Sequence, residues 1–360
     1  MHSRCMQCLC ALVGAALGLW TSSTYAGEVH PRYLYISLDH PKLPPGFISF
    51  GIAFPGRGEI NDQDQVAGTV SDALGTSYAA VYEHGIVRVL QSHLPSAGIV
   101  INGKGHVGGF VLNNAPPQAA IFRQDQVEVI PRQSSDEILS FVDALNDADM
   151  AVVRSIHLSG ESLALYANGT LTPIGPQQNL SPLGTGYINR QGFISGTTGT
   201  DLFGDARAFR LAPRTGQATL LSPIDSDPLS WSQGIDDRGN VLGYSFGAGE
   251  ERIGVWDRLG KFELYFTEGN AEFPTVSNEL LFNDEEEIVI TFPLNDSTSY
   301  LVPRPGIRLD LAALTQNPPS WPKPFEFITG FNDDGNMVGV SGEGASGDHH
   351  QFLLKRIEDL

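Results

Sequence analysis

Short apolar stretches alternate with polar turns along almost the whole chain, and the alternation has a period. One apolar residue, an Asn or Asp, a turn and a second apolar stretch recur as a unit. The copies are Ile60-Asn61-Asp62, Ile101-Asn102-Gly103, Leu145-Asn146-Asp147, Ile188-Asn189-Arg190, Ile235-Asp236-Asp237, Phe282-Asn283-Asp284 and Phe331-Asn332-Asp333. Successive Asn or Asp positions lie 41, 44, 43, 47, 47 and 49 residues apart. A period in the forties suits a unit of four strands.

The rest of each unit follows in register. The stretch behind the Asn reads as a buried second strand, and often closes on Gly, as at Gly68, Gly109, Gly196, Gly243 and Gly339. That Gly is expected to let neighbouring units approach closely. Seven third strands follow, from Tyr78–Tyr82 to His350–Leu354, but only six fourth strands, from Ile86–Leu90 to Ile307–Leu311. The missing strand is at the other end, where Tyr33–Leu38 (YLYISL) is rich in β-branched and aromatic residues. Paired beside His350–Leu354, it would close a ring and leave no edge bare. The fold expected is therefore all-β: a seven-bladed β-propeller closed by its N-terminal strand. Another all-β repeat array or a sandwich is the alternative. The Asn itself is expected to shape a turn, since its side chain can bond the backbone ahead of it.

Composition adds the compartment. His2 and Arg4 precede an uncharged run, Cys8 to Trp20, and a small polar stretch ending at Ala26. This is the layout of a secretory signal peptide over residues 1–26, leaving 27–360 as one domain. Secretion or a periplasmic location is expected, with no membrane span. All 3 cysteines lie within the leader. The exported chain thus has no disulfide, no cysteine nucleophile and no cysteine-ligated zinc. A net charge of −19 disfavours nucleic acid and anionic lipid as partners.

The repeat resembles the bacterial extracellular HAF-type repeat family. The clearest copies run from Phe331 to Gly339 (FNDDGNMVG) and from Ile235 to Gly243 (IDDRGNVLG). The resemblance spans Tyr33 to Leu360. It departs in the third strand, where only His350 keeps the leading His and only Arg207-Ala208-Phe209 keeps Ala-Phe. It implies a secreted bacterial repeat protein and no catalytic residues. In such a host the sequons at Asn168, Asn179 and Asn295 are accidental.

Local motifs for chemistry are few. Gly243-Tyr244-Ser245-Phe246-Gly247 matches G-x-S-x-G, but a strand follows where a serine hydrolase needs a helix. Asn332-Asp333-Asp334-Gly335 lacks the ligand spacing of a calcium loop. Asp348-His349-His350 has no second cluster to complete a metal site. No cofactor motif is present, so neither cofactor nor metal is expected.

In a propeller, the second-to-third and blade-to-blade connections share one face. Here those segments are long and varied: Thr197–Ala206, Ser245–Glu251, Glu268–Leu280, Ala312–Glu326 and Ser341–His349. Insertions gathered on one face mark a binding face. The candidate ligand-binding residues there are Arg154, His157, Trp231, Trp321 and His349, because aromatic and charged groups together suit a sugar or a peptide. The favoured reading is a binding module for an extracellular glycan, peptide or protein. The alternative is a propeller lyase or glycoside hydrolase, which convergence of His157, His349 and a carboxylate would favour.

Overall fold

The computed structural model describes residues 30–357 apart from 53–58, 91–93, 113–115, 125, 202–203, 214, 226, 270–278, 293–297, 322 and 343–348. The leader segment, Phe203, Asp348 and the sequon at Asn295 therefore lie outside the described residues.

Each repeat folds as a separate antiparallel sheet, and seven such sheets form a seven-bladed β-propeller. Blade 3 is typical, with strands Glu137–Leu145, Ala151–His157, Gly160–Ala167 and Thr170–Ile174. Blade 5 comprises Leu229–Ile235, Val241–Gly247, Glu250–Trp256 and Phe262–Gly269. Each blade is too thin to own a core, so apolar faces are buried between blades. Trp231, Tyr244 and Ile253 of blade 5, for example, pack with Leu280 and Ile290 of blade 6.

The ring closes as the missing fourth strand requires. Arg32–Ser37 pairs antiparallel with His349–Ile357, placing Tyr33 opposite Arg356 and Ser37 opposite Phe352. The closing strand is itself covered. A short helix, Leu311–Leu314, leads into Thr315–Gln316, which runs parallel to Tyr33–Leu34. Asp310 caps that helix by accepting the Ala312 amide at 2.8 Å. The expected loop Ala312–Glu326 is thus partly regular, because the outer edge of the closing strand needs partners for its backbone groups.

Two other expectations change. The connection at Ser245–Glu251 is a tight hairpin turning on Ala248 and Gly249, both with positive φ. Its polar residues end the apolar pattern but not the ladder, which needs only backbone. The Gly closing the second strand also makes room within its own blade, besides the close approach of blade 2 at Gly68, where a Cβ on Gly98 would lie 2.9 Å from the Gly68 carbonyl oxygen. A Cβ at Gly243 would fall far inside contact distance of the Trp231 carbonyl oxygen and 2.8 Å from the Trp256 ring, both in blade 5.

The recurring Asn does more than shape a turn. Asn102 Oδ1 accepts the amides of Lys104 and His106 at 3.0 Å each, while its Nδ2 donates to the Asn146 carbonyl of the next blade at 2.9 Å. Asn61, Asn146, Asn189 and Asn332 donate likewise to Asn102, Asn189, Asp236 and Asn61. These bonds form a belt around the axis that also ties blade 7 to blade 1. The belt is interrupted at Asp236, which has no amide to donate, and at Asn283, whose amide turns to Glu287. Three residues after the Asn the backbone is left-handed, at Gly105, Gly192, Gly239 and Gly335. Asp64, Asp149 and Glu286 take that conformation where Gly is absent. Each reaches the preceding blade in return: Asp64 to Lys355, Asp149 to His106 and Arg123, Glu286 to Arg238.

Asp236→Asn is expected to stabilise the protein. Burial pushes the Asp236 carboxyl up to about 6 from its ordinary 3.8. Below about pH 4 both folded and unfolded chains hold this proton, and the group is neutral in the balance. Between about pH 4 and 6 only the folded chain holds it, so its contribution to stability falls as pH rises. Asn removes that loss and supplies the missing belt donor toward Asn283. The gain is expected to be about 2 kcal/mol at pH 7.5 and to shrink toward pH 4, read from urea unfolding of both proteins.

Candidate functional site

An open cleft of about 440 Å³ sits at blade 3 on the face of the second-to-third connections. Its inner wall is the hairpin that turns at Leu158-Ser159, between strands Ala151–His157 and Gly160–Ala167. The segment joining blade 2 to blade 3 lays Arg132, Gln133, Ser134 and Asp136 across it, and Leu171 and Pro173 give it an apolar side.

The polar groups form one connected chain. His157 Nε2 is 2.9 Å from Ser162 Oγ, and Nδ1 is 3.3 Å from Ser134 Oγ and 3.7 Å from Asp136 Oδ1. Ser134 donates to Asp136 at 2.5 Å, which, with His157 adding to the effect, holds that carboxyl below its usual range. Gln133 accepts from Ser162 at 3.1 Å and donates to Ser155 at 3.0 Å. Ser155 in turn donates to the buried Glu137, whose other carboxylate oxygen lies 3.7 Å from Arg132. Only 11% of the His157 side chain is exposed, so these partners fix its ring.

The other sequence candidates are distributed over three blades. Arg154 shares a strand with His157, but an offset of three residues turns it to the opposite face. There it packs over Phe141 at 4.7 Å and bonds Asp143 at 3.2 Å. Burial pushes the Asp143 carboxyl up to about 6 against the pull of Arg154. Trp231 is 3% exposed and belongs to the blade 5 core, edge-on to Phe246. Trp321 stacks on His350 at 4.0 Å, and His350 Nδ1 is 2.7 Å from Asp39. His349 stands half exposed in blade 7, 3.4 Å from Glu326. His157 and His349 share no partner, so the convergence that would have favoured a lyase or hydrolase built on both is not found.

Sequence reasoning passed over two features. Ser134, Asp136 and Ser162 carry no periodic signal, and only the fold lays the interblade segment against the hairpin. The second feature is on the opposite face, where the residue following each Asn or Asp rings the axis. Arg190 spans Asp62, Asp147, Asp237 and Asp333 at 3.2–3.6 Å. The amides of Asp237, Asp284 and Asp333 each bond the next Asp in the ring. One guanidinium and a circle of amides thus hold the acidic crown together. Among the described residues no three His, Cys, Asp or Glu side chains are gathered as a metal requires.

No family model matches the chain, and neither does any curated protein sequence. Solved structures do. An oligogalacturonate lyase in complex with manganese aligns with TM-score 0.58 at 10% identity, over 92% of this chain and 97% of that one. The peptide-bound YCF48 and the propeller domain of a Pyrococcus furiosus protease both align with TM-score 0.48. Identity is 11% with the first, over 92% of this chain and 99% of that one, and 9% with the second, over 91% and 96%. At such identities the shared property is the propeller fold. Among the described residues no helix is long and apolar enough to cross a membrane.

Proposed function

We propose that this is an exported binding module of the HAF-type repeat kind, which takes an extracellular glycan or peptide in the blade 3 cleft. The observation that carries this reading is the cleft itself. It has the volume of a ligand site, a wall of fixed hydrogen-bonding groups and an apolar side at Leu171 and Pro173. Polar groups already oriented by neighbours lose little freedom on binding, which favours affinity. The leader-like first 26 residues and the HAF-type pattern support export. The manganese of the similar lyase is not carried over, because the described residues gather no donor set for it.

Purified 27–360 is to be passed over immobilised plant, algal and bacterial polysaccharides and peptide libraries. Ser159→Trp, at an exposed hairpin position lining the cleft, is expected to weaken retention about tenfold or more with an unchanged melting temperature. Equal retention by both proteins would move the site elsewhere, and Trp321→Ala and His349→Ala would then test blade 7.

A further inference from the structure

The hydrogen-bond directions within the cleft point to chemistry as well as binding. Asp136 is an acceptor only, so Ser134, 2.5 Å away, spends its one proton on it. Ser134 Oγ can then only accept from His157 Nδ1, at 3.3 Å. With Nδ1 donating to that oxygen, Nε2 is the bare acceptor that a general base requires. Ser162 Oγ lies 2.9 Å from that Nε2 and 3.1 Å from Gln133 Oε1. At rest its proton goes to Gln133 Oε1, and the nearer, more basic imidazole nitrogen is the acceptor to which it turns on attack. Gln133 is held in the orientation that offers Oε1, because its Nε2 donates to Ser155, whose own proton goes to Glu137. Nucleophile, base and an orienting acid are thus arranged in order along the wall of an open cleft.

We infer that Ser162 and His157 are a nucleophile and general base that hydrolyse an acyl ester carried by a hydroxyl-bearing ligand of this cleft. The inference rests on the cleft being the binding site. Ser162 Oγ bonds to the ester carbonyl carbon as its proton passes to His157 Nε2. The carbon–alkoxide bond breaks, and the alkoxide leaves as the alcohol with that proton. Water then gives a proton to Nε2 and its oxygen to the acyl carbon. The bond to Oγ breaks, Ser162 recovers the proton, and the acid departs. The net change is ester plus water to acid plus alcohol. Arg132 lines the cleft but is held by the Glu137 and Pro116 carbonyls, so it supplies positive potential there and not a direct bond to the developing oxyanion. The apolar side at Leu171 and Pro173 receives a small acyl group, while Gln133 and Glu161 face the polar alcohol. Ser134 and Asp136 are positioning residues that act through His157. An ester suits the site better than an amide, because alkoxide leaves more readily than amine and asks less of a single histidine.

The test needs no knowledge of the natural ligand. The folded 27–360 protein is treated with a fluorophosphonate probe and mapped by mass spectrometry, and p-nitrophenyl acetate hydrolysis is followed in parallel. The expected result is one phosphonylated residue, Ser162, with turnover lowered on the order of 100-fold or more in Ser162→Ala and His157→Asn. Asp136→Asn is expected to lower kcat about tenfold at constant KM. A loss carried by KM instead would overturn its orienting role. An unlabelled Ser162 in wild-type protein with an intact thermal transition would overturn the inference, whatever the variants do. Glycan or peptide retention by that same unlabelled protein would leave the binding module standing, so the two readings fail separately.

Discussion

A protein that begins at residue 39 is expected to lose its cooperative thermal transition and to aggregate. The deletion removes Arg32–Ser37, whose six residues all pair with His349–Ile357. It also removes Tyr33 and Leu38, both fully buried. Tyr33 packs among Phe325, Phe352, Leu354 and the blade 6 residues Leu281, Val289 and Leu301, so its loss opens two blades at once. Large buried side chains cost about 2–5 kcal/mol each when truncated, against a total stability of about 5–15 kcal/mol. The strand His349–Ile357 would become a bare edge, and Thr315–Gln316 would lose its partner. Circular dichroism melting and light scattering measure the two consequences. A monodisperse protein melting within a few degrees of the intact one would show that the other strands suffice. Tyr33→Phe is the control for ring packing. Among the described residues the buried hydroxyl meets no hydrogen-bond partner, so that variant is expected to be at least as stable as the wild type.

Gly243→Ala is expected to cost about 3 kcal/mol or more, although it adds a single methyl group. The added carbon has the Trp231 carbonyl oxygen on one side and the Trp256 ring on the other, and neither can retreat. Trp256 is fully buried, and its Nε1 donates to the Ser222 carbonyl at 2.7 Å. The innermost strand of the blade carries a register shift between Ser232 and Gly234, which brings its backbone over Gly243. A midpoint of urea unfolding lowered in proportion checks this. The same substitution separates two readings of the G-x-S-x-G match. Ser245 lies within strand Val241–Gly247 and donates to Asp227 at 2.6 Å while accepting the Ile224 amide. It is a structural serine, and the cleft in blade 3 should be unaffected in any Gly243→Ala molecule that remains folded.

Much of this architecture was legible along the chain because a repeat writes the same physical problem several times. The spacing of Asn61, Asn102, Asn146 and their successors gave the unit, and the unpaired run at Tyr33–Leu38 gave the closure. One available signal went unused. Asp can shape an Asx turn as well as Asn, yet six of the seven positions are Asn. The excess points to a need for a donor, which the belt between blades explains. Trp231 was misplaced for the opposite reason. Its chemistry suits a binding face, but a residue at the start of an innermost strand can face either a loop or the next blade.

What the sequence determined by itself was therefore periodic: strand order, blade number, the closing strand and the turn geometry at each Asn. These follow from local backbone preferences and from the alternation of apolar and polar residues, both of which act over a few positions. The tertiary structure decided everything that depends on distance in space. Arg154 and His157 are neighbours along one strand, yet the two-residue period of that strand sends them to opposite sides of the sheet. Ser134, Asp136, His157 and Ser162 are up to 28 positions apart and meet only because the segment between blades 2 and 3 is laid across a hairpin. Arg190 finds its carboxylates in four different blades because the ring brings one residue of every repeat to the axis. A hydrogen bond is made over about 3 Å, whereas the order of residues along the chain limits only how far apart they can be.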